Sequence, residues 1–255
     1  MGGRNRSGQA LLLGVLLIAL LLLSVELYVY EVGKAIGEAN PNSLSDSIFA
    51  VRLGSRHVLV GSLANISQGG ANQNLEVNLE SWSSFVGRQY QLGKYILNFT
   101  AKDTAPYSSG IWIFWGINGS GVSGASANFT FKLLDRGIEI NQTYAINVIT
   151  TLLIQGSYRV IGGNTKQVNV TSNLLNEGVP VLAKNITLYY NNSSNWIVPD
   201  SQNNYTFIDY GNGTYFTSFV ADTSSENIEV SAHVFDQREI NVQANVTCTE
   251  KYSFD

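Results

Sequence analysis

The amino-acid sequence predicts a mainly β protein with an N-terminal transmembrane helix: an α+β membrane-proximal domain followed by a β-sandwich. Three observations predict it. Residues 7–25 carry no charge at all. Between 44 and 90 apolar residues recur every three or four positions, the period of a helix. From about Leu92 that period changes to two, and Gly, Asn, Asp and Pro then punctuate short apolar runs, the pattern of strands and turns.

The hydrophobic segment comes first. Ser7–Val25 is 19 residues long without a charged side chain. As a helix it spans roughly 28 Å, close to the hydrocarbon thickness of a bilayer. Arg4 and Arg6 precede it, and Glu26 and Glu31 follow. Positive charge stays on the cytoplasmic side, so the expected topology is single-pass, with the N-terminus cytoplasmic and everything after Tyr30 outside the cell membrane. The run is longer than the apolar core of an ordinary secretory signal.

Arg6-Ser7-Gly8-Gln9-Ala10, running straight into this apolar segment, resembles the class III leader of archaeal type IV pilin-like proteins. The resemblance covers about the first 35 residues. It implies a basic leader over 1–8, a leader-processing cut between Gly8 and Gln9, and a retained hydrophobic helix over 9–38 that packs with copies of itself in a filament. Leu13 stands where many pilins carry Glu.

The next domain is expected over 44–161. Ser45 or Asp46 can cap a helix whose apolar face carries Ile48, Val51, Val58, Leu59 and Leu63. Asn40-Pro41-Asn42-Ser43 is expected to break the chain before it. Gly69-Gly70 separates a second helix, with Leu75, Leu79, Trp82 and Val86 on one stripe. Strands are expected at 94–102, 110–117, 126–134 and 143–160, the last bent or broken near Gln155-Gly156. Ile111-Trp112-Ile113-Phe114-Trp115 is apolar on both faces, which favours a buried central strand over a subunit interface or a sugar-stacking platform. Gly162-Gly163-Asn164 reads as a hinge between domains.

Beyond it, 165–250 reads as a sandwich with strands near 166–174, 182–191, 204–209, 214–221, 227–236 and 238–248. Asn176-Glu177-Gly178-Val179-Pro180-Val181 and Asp209-Tyr210-Gly211-Asn212-Gly213-Thr214-Tyr215 resemble two turns of the Ig-like repeats of bacterial and archaeal surface proteins. That resemblance implies an Ig-like spacer or binding domain. In the second turn Gly211 and Gly213 suit positive φ, and Tyr215 is expected to re-enter the core.

Twelve Asn-X-Ser/Thr sequons lie beyond the hydrophobic segment: Asn65, Asn98, Asn118, Asn128, Asn141, Asn169, Asn185, Asn191, Asn192, Asn204, Asn212 and Asn245. With 26 Asn and 41 Ser/Thr in 255 residues, chance gives roughly four. The excess points to N-glycosylation of an exported surface. Strand phase agrees: Asn98, Asn128, Asn185 and Asn245 each fall opposite the apolar set of their strand.

Chemistry is hard to find. Net charge is -4 and no basic stripe exists, which argues against nucleic acid as a partner. The single cysteine, Cys248, rules out an internal disulfide and reads as a small hydrophobe at a strand end. His57 and His233 have no ligand at metal spacing beside them. Gly119-Ser120-Gly121-Val122-Ser123-Gly124 lies between expected strands with no helix after it, so phosphate binding is not expected. Asp200, Asp209, Asp222 and Asp236 fall at turns and are expected to cap them rather than bind Ca²⁺. No catalytic, cofactor-binding or metal residue is assigned. The expected partners are the membrane, copies of the chain or other pilin-like subunits, and surface glycans or proteins. A carbohydrate-active enzyme is suggested by the tryptophans alone.

Overall fold

The computed structural model describes residues 23–24, 26–27, 41–89, 94–135, 138–192 and 195–251. The hydrophobic segment, apart from Leu23 and Ser24, lies outside these residues, as do the Gly8–Gln9 junction and Leu13. Among the described residues no helix is long and apolar enough to cross a membrane. The chain divides into two units, residues 1–51 and 52–255. In the first, Leu23, Ser24, Glu26 and Leu27 are helical, and so is 41–51.

Directly before the strands lie the helices α1 (Pro41–Ser67) and α2 (Asn74–Gln89). The first begins at Pro41, four residues before the expected cap. Proline's fixed φ suits a first helical turn, where its missing N–H costs nothing, so this residue opens the helix instead of breaking it. Val51, Leu59 and Leu63 of α1 and Leu75, Leu79 and Val86 of α2 are buried, as their spacing predicts, while Ile48, Val58 and Trp82 of the same stripes are half-buried; Ile66 is buried as well. The hairpin is closed by specific contacts. Trp82 packs on Gly54, where a Cβ would collide with its ring. Its Nε1 donates to Ser55 Oγ (3.0 Å), and Ser55 Oγ lies 3.2 Å from Tyr144 Oη, a hydrogen bond between α1 and the sheet.

Twelve strands follow: β1 (Lys94–Ala101), β2 (Ile111–Trp115), β3 (Ser120–Asp135), β4 (Ile138–Gly162), β5 (Thr165–Asn176), β6 (Val179–Pro180), β7 (Ala183–Asn191), β8 (Trp196–Ile197), β9 (Thr206–Asp209), β10 (Thr214–Asp222), β11 (Ile228–Asp236) and β12 (Asn241–Glu250). They form one sheet with the path β8-β7-β11-β12-β4-β5-β10-β9, and β3 joins it at β4. The link from β12 to β4 is short and parallel, Thr249↔Ser157 and Glu250↔Tyr158; other strand pairs are antiparallel. The sheet curls so that its two ends face each other, and Leu152, Val168, Val170, Phe219, Ile228, Val230 and Val242 share one buried cluster between them. The protein is thus mainly β, as predicted.

Four expectations change. The strand expected to be bent or broken near Gln155-Gly156 is not broken there but continues as a single 25-residue strand, β4. Its even-numbered side chains Tyr144, Ile146, Val148, Thr150, Leu152, Ile154 and Tyr158 are all buried. Gly156 takes part without a side chain because Cys248 Sγ occupies the space a Cβ would need.

Gly162-Gly163-Asn164 is the turn between β4 and β5, which pair from Thr150↔Asn176 to Gly162↔Thr165. Glycine pairs serve turns and hinges equally well; what decides is whether the flanking strands pair. Here they do, and Leu152, Ile154 and Tyr158 from before the turn share the core of the strands after it.

The Gly-rich run, expected between strands, lies largely inside β3. Its reason is close approach: β12 crosses there, and a Cβ on Gly121 would run into the Gln243 carbonyl oxygen.

Finally, Ile111–Trp115 is not a central strand. It pairs with β3 alone, and Ile113 and Phe114 are 37% and 54% exposed.

Candidate functional site

A groove of about 550 Å³ lies on the outer face of β7, β11 and β12. Strand alternation builds it. Along β11 the side chains of Ile228, Val230, Ala232 and Val234 are fully buried on the inner face. The odd-numbered set between them, Glu229, Ser231 and His233, faces the groove. Cross-strand register then assembles two rows. Ser231 is opposite Asn245 on one side and Tyr189 on the other. Glu229 is opposite Thr247, and its Oε2 accepts from Asn191 Nδ2 at 3.1 Å. Asn191 in turn is opposite Trp196 of β8.

The groove's far wall is Ile117, from the turn between β2 and β3. That turn is pinned to β12 by two backbone hydrogen bonds, Gly119 N–H to Asn245 O (2.7 Å) and Asn245 N–H to Gly116 O (2.9 Å). Ile117 is 75% exposed and Trp196 49% exposed, so the two apolar walls are open to solvent.

Its electrostatics are mild. His233 stacks at a tilt on Tyr189, ring centroids 4.8 Å apart, and burial lowers its pKa from the ordinary 6.5. The imidazole is therefore neutral at pH 7. Its Nε2 lies 3.1 Å from Ser231 Oγ, and the two share a hydrogen bond. Ser231 is only 5% exposed, so its hydroxyl is not presented to the groove as a nucleophile. Glu229 is the one charged side chain lining the groove. A neutral imidazole, amides, hydroxyls and one carboxylate beside two aromatic rings suit an uncharged, hydroxyl-rich ligand.

The other residues singled out in the sequence are placed as follows. Eight sequon asparagines are exposed (Asn65, Asn98, Asn118, Asn128, Asn141, Asn185, Asn204 and Asn212), and Asn169, Asn191, Asn192 and Asn245 are partly buried. None is fully buried. His57 is exposed on α1, remote in sequence from every groove residue. Asp200 accepts from Gln202 N–H (2.8 Å) and Asp209 from Gly211 N–H (2.7 Å), both as turn caps. Asp222 ends β10.

Asp236 does more than cap. Fully buried, its Oδ1 accepts the N–H of Arg238 (2.8 Å) and of Ile240 (2.9 Å), while Oδ2 accepts Arg238 Nε (2.8 Å) and Thr150 Oγ1 (3.1 Å). Arg238 Nη1 continues to Glu177 Oε1 at 2.7 Å. This network ties the β11–β12 turn to β4 and to the β5–β6 turn. Among the described residues no group of three or more His, Cys, Asp or Glu is placed to hold a metal ion.

Cys248 is buried, and its thiol pKa is pushed up to about 12 by that burial. The turn at Asp209–Tyr215 has its expected positive φ at Gly211 (72°) and Gly213 (83°). Tyr215 is buried, and its Oη accepts the Ala183 N–H at 2.7 Å.

The groove itself was not assigned from the sequence. The outward phase of Asn185 and Asn245 was readable, but not the strand order that brings Tyr189, Trp196 and Ile117 around Asn245.

No protein-family model matches the chain, and no curated protein matches it.

Proposed function

We propose that this chain is a membrane-anchored extracellular structural and interaction protein, a pilin-like and specialised subunit of a surface filament. One observation carries the reading. Arg4 and Arg6 lead through Ser7-Gly8-Gln9 directly into an uncharged 19-residue run, which acidic Glu26 and Glu31 close. Such a segment partitions into lipid or packs against copies of itself. The excess of sequons, none of them fully buried, supports exposure to a glycosylating compartment. Beyond the Ser108↔Ile111 bridge, the edge of β2 has no strand partner among the described residues; with Ile113 and Phe114 exposed, it supports contact with another subunit.

Determining the N-terminus of the mature protein tests it. A chain that starts at Gln9 is expected. A chain starting at Met1, or one cut on the C-terminal side of the hydrophobic segment, ends the filament reading. Gly8→Val should block processing, and unaffected maturation of that variant counts equally against it.

The second reading is a monomeric single-pass adhesin or spacer with an Ig-like binding domain. The outer groove favours it, being a concave, aromatic-walled surface away from the core. Loss of all surface filaments on gene deletion would remove this alternative.

A further inference from the structure

We infer that the outer groove is the seat of the chain's own Asn245-linked saccharide. The proposal rests on the reading of the protein as an exported glycoprotein. It deepens that reading by giving one sequon a built site.

Asn245 and Thr247 sit two residues apart on one face of β12. Both the acceptor amide and the hydroxyl that completes its sequon line the same groove. The backbone of Asn245 is held on both flanks. On one side it pairs with Ser231. On the other it exchanges hydrogen bonds with Gly116 and Gly119. The first sugar ring is therefore attached at a fixed point on a rigid floor, which lowers the entropy cost of ordering it.

Register says where the next rings go. From Asn245 the row runs over Ser231 to Tyr189, two strand spacings or about 10 Å. There the aromatic faces are Tyr189 and, one strand further, Trp196. Aromatic faces pack well against the apolar face of a pyranose. Its hydroxyls meet the Glu229 carboxylate and the polar side chains beside it. Ile117 closes the opposite side. The volume, about 550 Å³, lies inside the range of about 300–1,000 Å³ typical of small-ligand sites, enough for a few sugar rings.

The absence of any cationic side chain among the lining residues argues for a neutral saccharide over an anionic ligand. Only His233, in contact with Tyr189 and Ser231, could become cationic there, and its burial opposes that charge.

The test uses the full chain made in a eukaryotic secretory host, with sequon occupancy read by peptide mass spectrometry. Glycan removal by an amidase is then timed on the native protein at Asn245 and at exposed Asn128. The expected result is an occupied Asn245 whose glycan is released at least tenfold more slowly than that on Asn128. Trp196→Ala, at a half-exposed position, should bring the two rates within about twofold while leaving the unfolding midpoint unchanged. An occupied Asn128 with a bare Asn245 overturns the proposal and leaves the glycoprotein reading standing. Equal release rates in the wild-type protein overturn it too. If no sequon is occupied, both readings fall together.

Discussion

The two faces of β11 make the most instructive comparison in this molecule. Ile228, Val230, Ala232 and Val234 point inward and are fully buried. Glu229, Ser231 and His233 alternate with them and face the groove. The same nine residues thus serve a packed interior and an open site, separated only by parity. The inner face is constrained by volume, since interiors are close-packed and lose contacts when a methyl group is removed. The outer face is constrained by polarity and by what it must hold. Substitutions on the two faces should therefore differ in kind, and the following experiments are chosen to break that contrast or sharpen it.

The largest effect is expected in the interior. Phe219→Ala removes a fully buried ring from the shared cluster and should cost about 3–5 kcal/mol in denaturant unfolding. A loss below about 1 kcal/mol would mean that the curled sheet is not packed as described. Next, Gly121→Ala places a methyl group against the Gln243 carbonyl where β12 crosses β3. Overpacking of this kind costs roughly 1–3 kcal/mol, and a neutral result would show that the crossing is loose.

A third experiment reads the interior without mutation. Cys248 is buried with its pKa pushed up to about 12, so at pH 8 about one thiol in ten thousand is ionised. Thiol reagents should leave the native protein unmodified and label it stoichiometrically in denaturant. Rapid native labelling would place the end of β12 outside the core.

The smallest effect belongs to the outer face. His233→Gln should change stability by less than about 1 kcal/mol at pH 7.5, but it should alter the pH profile. Burial depresses the folded-state pKa of His233. Below about 6.5 the unfolded chain then binds a proton that the folded one resists. The corresponding stability is present above pH 6.5 and lost as pH falls through the folded pKa. The wild-type unfolding midpoint should drop over that window, and the variant's should drop less. Identical profiles would mean that the imidazole is solvated in the groove.

The same contrast explains what could be read from the sequence. Inner faces announce themselves: Ala127, Phe129, Phe131 and Leu133 on β3, like Leu75, Leu79 and Val86 on α2, repeat at the period of their element and are buried. Mainly β architecture was therefore legible, with most strand bounds. Three things were not, for separate physical reasons. The run Ile111–Trp115 is apolar on both faces, and such a run cannot tell a central strand from an edge, because partner number is not written in it. The glycines at 119, 121 and 124 erase the alternation of β3, since the element is built there from residues without side chains. The groove needs residues from β7, β8, β11, β12 and the β2–β3 turn. Their convergence follows from strand order and register, which no local pattern encodes. Only the outward phase of Asn245 was visible beforehand.

One property of β4 has a consequence for how this chain can vary. Its burial keeps a single parity from Tyr144 to Ile154. The early part is laddered to β3 and the later part to β5, with Thr150, Thr151, Leu152 and Leu153 paired to both. The strand therefore acts as a ruler with one phase for the whole sheet. Inserting or deleting a single residue at its middle would turn the side chains of one half inside out while leaving the other half correct. Length changes are tolerable there only in twos. Single-residue insertions and deletions should collect instead at the Gly162–Gly163 turn, where no Cβ would meet a neighbour.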